Sequence, residues 1–206
     1  MVKSGKMNAV SFYDSIAKLW PEKYGKPSFR KRLAAFTSAL QDGPVSGHWL
    51  DAGCGTGEIG SVCELMGASV TFLDASEQML AICGKYHSDC RLGDVSSLPF
   101  GDASLDGIVC SSVIEYLPSP NTAIAEFARA LKPDGRLIIS APFSLSPLRL
   151  TLRVVHALMG KPSWLNHSRN AYSRLGFKNI LNHHGISISR IRRSSSLMVA
   201  STLKVA

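Results

Sequence analysis

The chain has 206 residues, 45% hydrophobic and 18% charged, with a formal net charge of +8; that balance fits one soluble globular domain with a full core and excludes a disordered chain. No apolar run approaches the ~18 residues of a membrane span, and no apolar stretch follows Met-Val-Lys-Ser-Gly-Lys, so neither a spanning helix nor a secretory signal is expected and the expected location is cytoplasmic. Residues 1–50 carry a net +5, residues 51–142 a net −7 and residues 143–206 a net +10, an acidic middle between basic ends that suggests a cation-friendly pocket with a basic rim.

Residues 7–20 place Val10, Tyr13, Ile16, Ala17 and Trp20 at helical spacing, and Pro21 ends that helix. A second helix is expected over 28–40, with Phe29, Leu33, Phe36 and Leu40 on one face, stopped by Asp42-Gly-Pro44. Both helices precede the first strand and are placed to cover a ligand, with Tyr13 and Arg30 as lid contacts. The first strand, 48–51, runs Trp49-Leu50 into Asp51, followed by Gly53, Gly55 and Gly57 and then a helix over 58–66. Glycines let the backbone turn sharply and let a ligand lie against bare main chain, and the helix that follows points its free amides into the turn. Gly55, Gly57 and Gly60 also satisfy the dinucleotide fingerprint. Asp51 argues against that reading, because an acid at the strand end repels a pyrophosphate and suits a ligand carrying a cationic amine.

A second strand, 69–73, ends at Asp74, 17 residues after Gly57; an acid there is placed to take both hydroxyls of a ribose, with Ala75 beside it. Ser76 caps the next helix, which runs to about residue 84 and carries Met79, either an adenine contact or a core residue. A short third strand ends near residues 91–92, and Asp94 and Val95 follow it, Asp94 placed to accept from the exocyclic amine of adenine. Strand four covers 105–110. Ser111, Ser112, Ile114, Glu115 and Tyr116 then lie at its carboxyl end, where open α/β sheets bind ligands. An amphipathic helix over about 121–131, a turn over 132–135 and strand five over 136–140 complete this region. None of the five cysteines, Cys54, Cys63, Cys83, Cys90 and Cys110, stands in C-x-x-C or in a zinc spacing; they read as reduced, small apolar residues, and no metal is expected.

With Asp51-Ala-Gly-Cys-Gly-Thr-Gly57, Phe72-Leu-Asp-Ala-Ser76, Gly93-Asp94 ahead of Leu98-Pro-Phe100, Leu105-Asp-Gly-Ile-Val109 and Leu131-Lys-Pro-Asp-Gly-Arg136, the chain resembles a class I S-adenosylmethionine-dependent methyltransferase. It is most similar to the group that includes the quinone-biosynthesis enzymes, over residues 48–142. The resemblance implies an α/β fold: a Rossmann-like, seven-stranded, mostly parallel sheet with helices on both faces and a C-terminal antiparallel hairpin. It implies S-adenosylmethionine as cofactor, with Asp51 and the glycine turn at the methionine end, Asp74 at the ribose, Asp94 and Val95 at the adenine, and Ser111 at the methionine. Many relatives carry His where this chain has Tyr116, so a His base is not carried over.

Beyond strand five the resemblance thins. A helix over 146–160 combines an apolar arc (Leu148, Leu152, Val154, Val155, Leu158, Met159) with a narrow basic stripe (Arg149, Arg153, His156). It is open whether this helix meets an anionic membrane, lines an apolar pocket or packs on the sheet. A further helix is expected over 169–183, and strands 186–193 and 196–204 form the final hairpin. One domain is expected over 1–206: lid helices 1–46, a cofactor core 47–142 and a substrate side 143–206. The expected function is methyl transfer to a small, apolar or lipid- or quinone-like acceptor, at oxygen, with His156, Glu115 and Tyr116 as candidate bases. Competing readings are an RNA or polyanion methyltransferase, a cofactor-binding partner subunit without activity, and a dehydrogenase. Nucleic acid is disfavoured as a partner because no aromatic-basic reading module is present. Oligomeric state is not legible.

Overall fold

The computed structural model describes residues 9–144 and 167–204, together with Thr151, Val155 and Leu158. The described elements are α1 (Ala9–Ile16), two 3-10 turns (Ala17–Leu19 and Pro21–Lys23), α2 (Pro27–Leu40), β1 (His48–Ala52), α3 (Glu58–Leu65), β2 (Ser69–Asp74), α4 (Glu77–Cys83), β3 (Cys90–Leu92), β4 (Leu105–Cys110), α5 (Pro120–Ala130), β5 (Leu131–Pro142), α6 (Arg174–His183), β6 (Ile186–Ser194) and β7 (Leu197–Lys204). The seven strands form one sheet in the order β3-β2-β1-β4-β5-β7-β6. Pairs from β3 through β5 are parallel, and β7 runs antiparallel to both β5 and β6. This is the expected α/β sheet with its antiparallel hairpin.

Neighbouring residues of a strand face opposite sides, so a sheet covered on both faces has apolar residues at consecutive positions. Trp49/Leu50, Phe72/Leu73, Val109/Ile108 and Ile138/Ile139 split in this way between two cores. Leu50, Leu73, Ile108 and Ile139 pack with Phe127 of α5 and Phe177 and Leu181 of α6. Trp49, Phe72, Val109 and Ile138 pack with Phe36 and Leu40 of α2 and Ile59 and Cys63 of α3.

The C-terminal end of α2 would leave carbonyls without donors. Buried Arg136 supplies them, donating from Nη1 to the carbonyls of Leu40 (3.1 Å), Gly43 (2.9 Å) and Pro44 (2.7 Å) and from Nη2 to that of Ala39 (2.9 Å). Arg192 of β6 grips Asp42 with two 2.6 Å bonds. These contacts fix the N-terminal helices to the sheet.

Two boundaries differ from expectation. The turn over 132–135 lies inside one long strand: Leu131 pairs with Leu105 and Arg136 with Gly107, so the residues between bulge out around Asp134, whose φ is 61°. Helix α6 begins at Arg174 rather than 169, because Ser173 caps it and its Oγ accepts from the Gly176 amide at 3.0 Å. Residue 172 instead bridges to Phe143 in extended conformation. The helix expected over 146–160 lies outside the described residues except for Thr151, Val155 and Leu158, which are helical. Among the described residues no helix is long and apolar enough to cross a membrane.

Candidate cofactor and acceptor site

The strand–turn–helix of β1 and α3 is held together by its acids. Asp51, fully buried, accepts from the Gly60 amide at 2.8 Å through Oδ2. Asp74 accepts from the Gly55 amide at 2.7 Å through Oδ2 and from the Ser76 amide at 2.8 Å through Oδ1. The Leu73 carbonyl takes the Gly53 amide (2.7 Å) and the Cys54 amide (3.0 Å), and the Gly57 amide bonds the Cys54 carbonyl (3.0 Å). Gly53 has φ 72°, and a Cβ there would meet Val113 Cγ2 at 2.3 Å, so only glycine fits.

Burial pushes the Asp51 carboxyl up to about 7, helped by nearby Asp74 and opposed by the Gly60 amide. Burial also raises Asp74, against hydrogen bonds from the Ser76, Gly55 and Ala75 amides. Two desolvated acids side by side favour a cationic ligand, which relieves both. The amides of residues 53, 54, 55, 57 and 60 already donate within the protein, which leaves fewer turn amides for a pyrophosphate. The residues present therefore fit S-adenosylmethionine and fit a dinucleotide poorly.

A lid lies over this turn. The nearest atom to a Cβ built on Gly55 is Trp20 Nε1, at 3.8 Å. The Tyr13 ring meets Trp20 and Tyr116 edge-on, with centroids 5.5 Å apart in each case. The Tyr13 and Tyr116 hydroxyls share a hydrogen bond, and burial pushes both well above the ordinary phenol range. Asp14 of α1 ties the lid to α4, accepting from Ser76 Oγ at 2.5 Å and from the Gln78 amide at 3.3 Å.

The other expected contacts divide. Ala75 and Asp94 are exposed, with Asp94 Oδ1 accepting from the Ser96 amide at 2.8 Å. Val95 and Met79 are buried, and Val95 belongs to the core beside Leu73. Ser111 is half-buried directly after β4. Arg30 is exposed and is not brought to the site. Arg32, on the other flank of the same helix, points inward: its Nη1 donates to Ser112 Oγ at 2.9 Å. Ser112 itself sits at φ 58°, and its amide donates to Ser140 Oγ at 2.9 Å. Glu115 is 1% exposed, and its carbonyl takes the amides of Arg169 (2.7 Å) and Asn170 (3.1 Å). His156 lies outside the described residues.

The sequence reading missed Trp20, Arg32 and Asp14, and also a thiol cluster behind the turn. Cys83 and Cys90 Sγ atoms are 3.2 Å apart, and Cys54 also hydrogen-bonds Cys83. Their spacing along the chain gives no sign of this. Among the described residues no group of His, Cys, Asp and Glu could hold a metal ion.

Residues 50–139, less than half of the chain, match the family model described as a methyltransferase domain. The chain is similar to the malonyl-[acyl-carrier protein] O-methyltransferase of Erwinia pyrifoliae, 40% identical over 93 residues covering 44% of this chain and 36% of the relative. It is also similar to the ubiquinone biosynthesis O-methyltransferase of Xanthomonas axonopodis pv. citri, 31% identical over 134 residues covering 61% of this chain and 54% of the relative. The chain thus spans about half, or less, of the length of these curated relatives. In fold it resembles magnesium protoporphyrin IX methyltransferase from Synechocystis PCC 6803, solved with bound SAH, at TM-score 0.65 and 20% identity over 98% of this chain and 90% of that one.

Proposed function

We propose that the protein transfers a methyl group from S-adenosylmethionine to an oxygen atom of a small, largely apolar acceptor. The observation that carries this reading is the pairing of two buried acids, Asp51 and Asp74, with a glycine turn whose amides are already engaged. Asp74 would hold the ribose, and Asp51 with the turn the methionine end. When bound, the cofactor supplies an activated methyl group on a sulfonium. The chain's own residues orient and enclose: Trp20 and Tyr13 cover the turn, and Tyr116, Ser112 and Arg32 form a wall at the end of β4. Exclusion of water and alignment of the reacting atoms are the main contributions a protein makes to such a displacement.

Oxygen as the methylated atom is supported by the printed names of the curated relatives, both O-methyltransferases. Asp94 and Val95 remain proposed for the adenine side, with Met79 beneath it, and Ser111 for the methionine side. Incubation with methyl-labelled S-adenosylmethionine and a panel of phenols, quinols, organic acids and lipids tests the reading. Label transferred to an oxygen of one acceptor class supports it; label found only on nitrogen or RNA replaces it.

A further inference from the structure

The glycine turn is backed by sulfur. Cys54 lies within it, and behind it stand Cys83, the last residue of α4, and Cys90, the first of β3. All three are free thiols. Cys90 Sγ donates to Cys83 Sγ at 3.2 Å, and Cys54 also hydrogen-bonds Cys83. A Cβ built on Gly57 would meet Cys83 Sγ at 3.1 Å and His87 Cδ2 at 2.8 Å, so the Cys83 sulfur packs directly against the turn.

The five cysteines differ in access. β3 is an edge strand of the sheet, paired with β2, and Cys90 on it is half-buried, whereas Cys54, Cys63, Cys83 and Cys110 are buried. A small oxidant therefore meets Cys90 first. The sulfur in contact with Cys90 is also the readiest to give up a proton: the bond from Cys54, joined by that from Cys90, holds the Cys83 thiol below the ordinary range against its burial. The two sulfurs need to close by only about 1 Å to reach an S–S bond of ~2.05 Å.

We propose that Cys90 and Cys83 are a modification site for hydrogen peroxide, closing to a disulfide that takes Cys83 away from Cys54 and loosens the cofactor turn. The bridge stands on the thiols alone, and its effect on the cofactor rests on the methyl-transfer reading above. The Cys90 sulfur attacks one peroxide oxygen and the O–O bond breaks; the departing hydroxide takes the Cys90 proton and leaves as water. The Cys83 sulfur then attacks Cys90 Sγ. The S–S bond forms, the S–O bond breaks, and that hydroxide leaves as water with the Cys83 proton. The thiol pair loses two electrons and the peroxide gains them. Cys54 is left without its acceptor, and one lost bond of this kind corresponds to about 3- to 10-fold in affinity. By reciprocity bound cofactor favours the dithiol by the same factor, which raises the reduction potential of the pair by about 15–30 mV.

The test is peroxide treatment of the full chain, with peptide mass spectrometry to locate the bridge and calorimetry with S-adenosylhomocysteine before and after. The treated protein should carry one Cys83–Cys90 disulfide and bind S-adenosylhomocysteine about 3- to 10-fold more weakly, and dithiothreitol should reverse both. Cys90→Ser and Cys90→Ala should bind as reduced wild type does and lose no affinity on the same treatment. Saturation with S-adenosylhomocysteine should raise the potential measured in glutathione buffers. Thiols left intact, an over-oxidised Cys90 without a bridge, or a bridge through Cys54 overturns the proposal. So does a Cys83–Cys90 bridge that leaves affinity unchanged, or a Cys90 variant that remains peroxide-sensitive. If reduced wild type does not bind S-adenosylhomocysteine at all, the methyl-transfer reading falls and the coupling with it, while the mass of the bridged peptide still decides the thiol pair.

Discussion

Asp51, proposed for the methionine end of the cofactor, is a buried acid in the empty fold, and Asp51→Asn measures what that burial costs. Asn keeps an oxygen for the Gly60 amide, so the 2.8 Å bond survives while the charge goes. The wild-type carboxyl, raised by burial from 3.8 to about 7, holds its proton in the folded state where the unfolded chain has lost it. Stability from this group is therefore full below the unfolded value and lost as pH rises toward and through the folded one. At ~1.36 kcal/mol per tenfold, the whole loss is about 4 kcal/mol, of which about 2 kcal/mol falls between about pH 5.5 and about pH 8. Glu58, also raised to about 7 by burial, adds its own slope in both proteins and cancels in their difference. In thermal unfolding without cofactor, Asp51→Asn should gain on wild type by about 4–8 °C between those two pH values, at ~2–4 °C per kcal/mol for a chain of this size. The same variant should bind S-adenosylmethionine more weakly, because the compensating anion is gone. Wild-type affinity should climb as pH passes through about 7. A variant with the wild-type pH slope, or one that binds the sulfonium cofactor as tightly as wild type, would refute the reasoning.

Other changes have equally definite outcomes. Gly53→Ala puts a Cβ at φ 72° and 2.3 Å from Val113 Cγ2, which should cost about 2–4 kcal/mol in urea unfolding and remove cofactor binding; wild-type stability would show that the turn is not held as described. Arg136→Met strips donors from the carbonyls of residues 39, 40, 43 and 44, and the unfolding free energy should fall by about 3 kcal/mol, read as a lower denaturant midpoint with the m-value unchanged. Trp20→Ala opens the lid over Gly55; stopped-flow should show S-adenosylhomocysteine leaving about tenfold faster, and an unchanged off-rate would remove Trp20 from the lid. Ser76→Ala loses both the cap on the Met79 amide and the bond to Asp14, at a cost of about 1 kcal/mol, and should also loosen α1, read as faster amide exchange at residues 9–16.

What could be read from the sequence follows the range of the interactions. Asp51, the three glycines and Asp74 belong to consecutive strand–turn–helix units, so their chemistry is visible in short windows, and the paired apolar residues of β1, β2, β4 and β5 announce strands buried on both faces. The acceptor wall is different. Trp20, Tyr13 and Arg32 meet Ser112 and Tyr116 across some eighty to a hundred intervening residues, and which arginine of α2 faces inward depends on how that helix is rotated. Arg30 and Arg32 flank the Phe29–Leu33–Phe36–Leu40 face on opposite sides. The rotation is set by Arg136 gripping the helix end and by Arg192 holding Asp42, contacts made by strands that come more than ninety residues later. The bulge at 132–135 escaped for a related reason. Pro133, Asp134 and Gly135 have turn chemistry, but strand pairing on both sides of them makes the turn an interruption within β5.

The central claim is that Asp74, Asp51 and the glycine turn form a site for a cationic nucleoside. Calorimetric titration of S-adenosylhomocysteine and S-adenosylmethionine into the full chain and into Asp74→Asn tests it most directly. The account predicts one-to-one binding to wild type, a loss of about tenfold or more in the variant from the missing charge-assisted ribose bond, and no heat from a nicotinamide dinucleotide. Preferential binding of the dinucleotide, or undiminished binding of S-adenosylhomocysteine by Asp74→Asn, would contradict it.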